Sequence, residues 1–192
     1  MKALPTDFTL EKYGLYVRLV QETDAEFIHM LRTNPKNSPF MHTRGCSVFT
    51  QTEWIKKYKE RENIGKEYYF IFYFNGQPVG VIRLYNIVNK EFHCGSWVFK
   101  AGLPHFCSVV GAIIAREIAF ETLELEVEQN YNDGIVSNNY HVLKFMTLLG
   151  FEKQGERAED NILFINGVLT KEKFNFNKSK VLRFVPKEFQ TK

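Results

Sequence analysis

Three residues able to move protons lie in one short stretch of this chain. Glu91, His93 and Ser96 stand within Glu91-Phe-His-Cys-Gly-Ser-Trp-Val-Phe99. An imidazole with an ordinary pKa near neutrality is the natural proton acceptor there, and Glu91 is the second candidate. In a plain strand, side chains alternate between faces, which puts Glu91, His93, Gly95 and Trp97 on one side and Phe92, Cys94, Ser96 and Val98 on the other. A short loop through Pro104 follows, then a helical pattern in which Val109, Val110, Ile113, Ile114, Ile118 and Phe120 recur at helical spacing. A strand that ends on a loop and runs into a helix offers free N–H groups to an anion, here expected at Ser108, Val109 and Val110. The chemistry suggested is binding of something phosphorylated beside a proton-transfer group.

The elements that must position these residues are legible in order. Leu15 to Gln21 alternates as a strand, and Thr23-Asp-Ala-Glu26 reads as a capping box opening a helix to about Arg32. Asn34-Pro35 stops that helix, and the polar and aromatic segment to Thr50 is long for a loop in a compact domain, which suits a site. Thr50-Gln-Thr-Glu53 is a second capping box, with Trp54, Ile55 and Tyr58 expected to face inward. Tyr68 to Phe74 and Val79 to Ile87 flank Asn75-Gly76, a strong hairpin signal because both turn residues tolerate positive φ. Glu91 to Phe99 adds a third antiparallel strand. After the helix through Phe120, Leu123 to Glu128 reads either as its extension or as a strand. Ile135 to Ser137 is a short strand, Asn139 caps a helix ending at Gly150, and Phe151 to Glu156 with Asn161 to Leu169 forms a last hairpin. Residues 1–177 are expected to form one domain and residues 178–192 a basic tail, extended or loosely docked.

Bulk composition is consistent with one soluble domain. The 192 residues are 44% hydrophobic and 24% charged, and the net charge of +3 is not gathered into a basic run. Nucleic acid is therefore not an expected partner. No apolar stretch has the length of a membrane span, so no membrane partner is expected and the protein is placed in the cytoplasm. Cys46, Cys94 and Cys107 are odd in number and lack ligand spacing, which suggests neither a disulfide framework nor a metal site.

The order of elements, the Gly95-Ser-Trp97 strand leading into a helix, and Asn139-Tyr-His-Val-Leu-Lys-Phe-Met-Thr-Leu-Leu-Gly150-Phe151 together resemble the GNAT acyltransferase superfamily over roughly residues 15–174. Arg83-Leu-Tyr-Asn-Ile87 and Gln51-Thr-Glu-Trp54 look like its branch of RimJ/RimL-type enzymes and acetyltransferases of nucleotide-linked amino sugars. The resemblance implies an α/β layered fold: one domain with a twisted, mixed but mostly antiparallel sheet of about seven strands, splayed in the middle and flanked by about four helices. It implies acetyl-coenzyme A as co-substrate, with no metal, and a small-molecule amine as acceptor.

By the same resemblance, the strand through Phe99 diverges from a parallel neighbour at Ile135 to Ser137, and the pantetheine arm lies in the gap. N–H groups near Trp97 and Val98 would polarise the thioester carbonyl, Asn139 would bond pantetheine, and His42, Arg44, Arg83 and Tyr85 would meet the acceptor. Three departures stand out. Gly102 is the lone glycine of the phosphate loop, Pro104 has no N–H to donate, and Met146 occupies the place of the Tyr that protonates the leaving thiolate. They raise a rival reading, a non-catalytic GNAT-like domain that binds coenzyme A or a protein. Pairing of two copies through exposed strands or the tail is left open.

Overall fold

The computed structural model describes residues 2–36, 47–131 and 133–190. The strands in chain order are β1 (Thr9–Lys12), β2 (Leu15–Leu19), β3 (Tyr68–Phe74), β4 (Gln77–Val88), β5 (Glu91–Phe99), β6 (Val127–Gln129), β7 (Ile135–Val136), β8 (Glu152–Glu159) and β9 (Ile162–Thr170). The helices are α1 (Ala25–Thr33), α2 (Val48–Asn63), α3 (His105–Glu117, prolonged by a π turn over Ile118–Thr122), α4 (Tyr140–Leu149), α5 (Lys171–Leu182) and α6 (Lys187–Gln190). This is the single mixed, mostly antiparallel sheet expected, with nine strands and six helices among the described residues.

From β1 to β5 the strands pair antiparallel in chain order; tight turns join β1 to β2, β3 to β4 and β4 to β5, while α1 and α2 lie between β2 and β3 in the chain. Asn75 and Gly76 take φ of 49° and 72°, and Phe74 pairs with Gln77, as the hairpin signal predicts. Tyr13-Gly14 makes the same kind of turn between β1 and β2, so a further hairpin precedes the first strand read from sequence. Both faces of this half of the sheet are covered. Tyr68, Phe70 and Phe72 join the core under α3, whereas Tyr69 and Ile71 pack with Ile28, Leu31, Ile55 and Tyr58 of α1 and α2. A strand buried on both faces needs no polar alternation, which explains the aromatic run in β3.

Both early helices begin elsewhere than their apparent capping boxes. The reciprocal pair at α1 is Gln21 with Asp24, whose carboxylate accepts the Gln21 N–H at 2.8 Å and also binds the Arg18 guanidinium. At α2 it is Ser47 with Thr50, so the helix starts at Val48. A threonine hydroxyl substitutes for the carboxylate of the usual motif, and the nearer match therefore wins.

The second half departs more instructively. The parallel neighbour of β5 is β6, not Ile135 to Ser137, and the two pair at Glu91 with Val127 and Phe92 with Glu128. Beyond Phe92 they part. β9 then pairs with β6 through Thr170, Leu169 and Val168 and with β7 through Ile165 and Phe164, so β6 and β7 follow one another along the same strand, interrupted between Gln129 and Ile135. β8 closes the far edge as a charged strand, Glu152-Lys-Gln-Gly-Glu-Arg-Ala-Glu159, a composition that discourages edge pairing.

The C-terminal segment is not an extended tail. α5 crosses Asn177 and continues to Leu182; Val181 and Val185 are buried; and Phe189 of α6 stacks on Phe106 at 5.2 Å and meets Phe74 edge-on at 6.1 Å. Basic residues on its outer face concealed these apolar anchors. Removing residues 183–192 should therefore lower the melting temperature by several degrees, since burial of one valine alone contributes about 1.5–3 kcal/mol and each kcal/mol shifts a domain of this size by about 2–4 °C. An unchanged melting temperature would show that the segment does not hold the core.

Candidate active site

β5 is where the site is built. Val81 of β4 pairs with Val98 and Arg83 with Gly95, so two steps on β4 face three on β5, and Ser96 sits at φ 50°. This is a β-bulge. It reverses the alternation beyond Gly95: Trp97 and Phe99 pack toward α3 with Phe92, while Val98 turns to the α1 and α2 face. The sides expected for Trp97 and Val98 are therefore exchanged. Ser96 and Trp97 have no partner in the β4 register, and the β6 side is open beyond Phe92. Backbone polar groups with nothing to pair are an invitation to a ligand able to replace a strand.

The opening widens into a cavity of about 700 Å³ whose walls include Tyr85, His93, Cys94, Ser96, Trp97 and Asn139. In its wall, where β5 and β6 part, Arg116 of α3 donates from Nε and Nη2 to Glu128, both at 2.7 Å, with both side chains almost fully buried. Burial raises the Glu128 carboxyl and Arg116 opposes that shift. Met146 of α4 offers its sulfur to Arg116 Nη2 at 3.1 Å. The position expected for a proton-donating tyrosine thus holds a thioether engaged with a guanidinium.

His93 is in the wall but nearly enclosed, 7% exposed, beneath the Tyr85 ring at 4.5 Å. Burial pulls its pKa down to about 4; Asp133 pulls the other way, and Arg83 and Arg116 reinforce the fall. At neutral pH it is uncharged and a weak base. Tyr85 lies over the backbone of Gly95, where an added Cβ would come within 2.9 Å of its hydroxyl, so that glycine lets the ring close on the strand. Its hydroxyl donates to Asp133 Oδ2 at 2.6 Å, and burial followed by this carboxylate raises its pKa. Asp133 Oδ2 is 3.8 Å from His93 Nδ1. Arg83 stacks on Tyr85 at 3.9 Å and on Trp54 at 5.2 Å, with Glu67 3.1 Å away, behind the cavity wall.

The remaining expected residues divide. Asn139 caps α4, its side chain accepting the Val142 N–H at 3.4 Å, and also borders the cavity. Glu91 is exposed at the start of β5, away from the cavity. α3 begins at His105, three residues before Ser108, so helix geometry leaves the N–H groups of His105 and Phe106 free and commits those of Val109 and Val110 to the helix. Ser108 is held instead by the Trp97 indole, which donates to its hydroxyl at 2.9 Å. The first turn of α3 lies outside the cavity wall. His42 and Arg44 lie outside the described residues. Asp133, Arg116 and Glu128 were not anticipated from sequence: an Asn-Asp-Gly turn and charged residues near strand ends are ordinary surface signals.

Three solved structures share this fold. FdhC, described as a nucleotide-linked sugar GNAT, is 34% identical over 94% of this chain and 99% of its own, with a TM-score of 0.78. Mycobacterium smegmatis RimJ in complex with CoA-disulfide superposes with a TM-score of 0.72 at 14% identity, covering 92% and 91% of the two chains. The ribosomal-protein-S5-alanine acetyltransferase of Vibrio fischeri gives 0.71 at 16%, covering 86% and 98%; these last two share the fold. The sequence matches no family model and no curated protein. The chain belongs to the GNAT acetyltransferase family. Among the described residues no helix is long and apolar enough to cross a membrane, and no cluster of His, Cys, Asp and Glu is arranged to hold a metal ion.

Cys94 and Cys107, the two described thiols, lie where burial disfavours the thiolate. Burial pushes Cys94 up to about 12 and Cys107 to about 11. At pH 8 iodoacetamide should leave both unmodified in the folded protein while labelling both after unfolding, because the thiolate fraction at Cys94 falls about 10³-fold below that of an ordinary thiol. Peptide mass spectrometry reads the result; rapid native labelling of Cys94 would show a reactive thiol there and favour an acyl-cysteine intermediate.

Proposed function

We propose that the protein transfers an acetyl group from acetyl-coenzyme A to a primary amine of a small molecule, with a nucleotide-linked amino sugar as the first acceptor to try. The observation that carries this reading is the bulge at Ser96 and Trp97, without partners in the β4 register, facing an open cavity beside Tyr85, His93 and Asp133. The description of FdhC supports the choice of acceptor.

The chain's own groups fit the co-substrate in three places. The free N–H groups of His105 and Phe106 at the start of α3 suit a phosphate, and Gly102, at φ 83° with open space around it, lets the backbone approach. Pantetheine amides can pair along β5, with Asn139 on the opposite wall. The N–H groups of Ser96 and Trp97 can take the thioester oxygen as charge develops on it. The amine then attacks directly, without a covalent enzyme intermediate, since neither described cysteine supplies a thiolate. A cytosolic location follows from the co-substrate. A small molecule suits the cavity better than nucleic acid or a membrane surface.

The second reading is a coenzyme A-binding domain without catalysis, favoured by Met146 in place of the expected proton donor and by Pro104 at the head of α3. Calorimetry with acetyl-coenzyme A, followed by thiol release with dTDP- and UDP-linked amino sugars, peptide N-termini and polyamines, separates the two. The expected result is micromolar binding with turnover on an amino sugar. Binding without turnover on any amine would establish the second reading, and no binding would refute both.

A further inference from the structure

Asp133 is brought into the cavity by the interruption between β6 and β7, and that interruption is built rather than loose. Asn130, 7% exposed, accepts the Gly167 N–H through its side chain at 2.7 Å and the Gly134 N–H through its backbone at 2.8 Å. Gly134 takes φ 63° and packs so closely on Phe164 that a Cβ would come within 2.6 Å. The turn is thereby fixed to β9, and the Asp133 side chain, 49% exposed, reaches across the opening to β4 and β5.

We propose that Asp133 is the proton acceptor for the attacking amine and that Tyr85, hydrogen-bonded to it, delivers a proton to the departing thiolate. The proposal rests on the amine acetyltransferase reading above. Three observations carry it. Tyr85 and His93 both meet Asp133 at Oδ2, and the carboxylate side chain is 49% exposed, so a substrate can reach it. The Tyr85 hydroxyl lies against Gly95, immediately before the unpaired backbone that suits the thioester. The α4 position facing the same cavity carries Met146, whose thioether has no proton to give.

The groups around the pair are consistent with this division of labour. Arg83 of β4 lies over the Tyr85 ring and His93 of β5 beneath it; Arg116 of α3, Arg32 of α1 and Arg157 and Glu159 of β8 line the same cavity. His93 is too enclosed and too weakly basic for the task, and it acts as a packing support for Tyr85.

In the step itself the neutral amine attacks the thioester carbonyl carbon and the C–N bond forms, while an N–H proton passes to Asp133. As the C–S bond breaks, the sulfur takes the Tyr85 hydroxyl proton. The phenolate is refilled from the Asp133 carboxylic acid across their hydrogen bond. Both residues end as they began, and the products are the amide and free coenzyme A.

The test uses purified full-length protein, acetyl-coenzyme A and the best amine accepted by the wild type, with thiol release as the readout. Asp133→Asn should lower kcat by about 10²-fold or more, leaving KM for acetyl-coenzyme A within about threefold and the melting temperature unchanged. Tyr85→Phe should lose about tenfold or more, and the double variant should be no worse than Asp133→Asn alone, because the two act as a unit. Asp133→Ala should regain activity with added formate. A kcat for Asp133→Asn within about threefold of wild type, an Asp133→Ala enzyme that formate does not rescue, or a His93→Gln loss as large as that of Asp133→Asn would each overturn the proposal. A wild-type protein that binds acetyl-coenzyme A but acetylates no amine would instead remove the functional reading on which it rests, and the proposal with it.

Discussion

The separation of β5 from β6 is the constraint on which the site depends. Two strands of one sheet ordinarily continue side by side, since each unpaired backbone group costs free energy when buried. Here they pair at Glu91 and Phe92 and then part, and the point of parting is pinned by the buried Arg116–Glu128 pair. Glu128 belongs to β6 and Arg116 to α3, so the ion pair ties the second half of the sheet to the helix that follows β5. Its two hydrogen bonds at 2.7 Å satisfy charges that would otherwise be expensive to enclose. Such a pair is weak evidence for stability but a sound device for fixing one arrangement of elements.

From that point the geometry of the cavity follows. Because the strands splay, the bulge at Ser96 opens toward space and not toward a neighbour, and the interruption between β6 and β7 has room to cross the gap. Tyr85 and Asp133 meet there, one from the first half of the sheet and the other from the second. Gly95 permits the meeting, since any side chain at that position would push the Tyr85 hydroxyl away. Enclosure of His93 beneath the same ring lowers its pKa, so the residue most conspicuous in the sequence is a weaker base than an exposed imidazole.

The departures from the family pattern acquire physical content in the same frame. Met146 is not an empty position where a tyrosine once belonged; its sulfur lies against the guanidinium that anchors the cleft. Pro104 does not abolish the helix N-terminus, because α3 begins at His105 and still presents N–H groups of its own. The loss of loop glycines leaves Gly102, the residue whose surroundings are open. Each departure changes which group stands at a position and leaves the parted strands and the helix start in place.

Much of the fold was legible in local patterns. The Asn75-Gly76 hairpin, the helical spacing from Val109 to Phe120, the Asn139 cap and the Gly150 terminus depend on residues a few positions apart, and their conformational preferences act within that range. Family membership was legible for the same reason, being carried by Gly95-Ser-Trp97 and the Asn139 to Phe151 segment. The tertiary structure decided what depends on distant partners: the bulge that exchanges the faces of Trp97 and Val98, the choice of β6 over β7 as neighbour of β5, and the docking of Val185 and Phe189 behind a basic surface. Asp133 shows the limit most clearly. In sequence it is one residue of a turn, and only the fold sets it against a tyrosine 48 positions earlier in the chain, at the cavity wall. Spacing along the chain determines which elements form; where two strands part, and what reaches across the gap, is decided by packing between elements that are far apart in sequence.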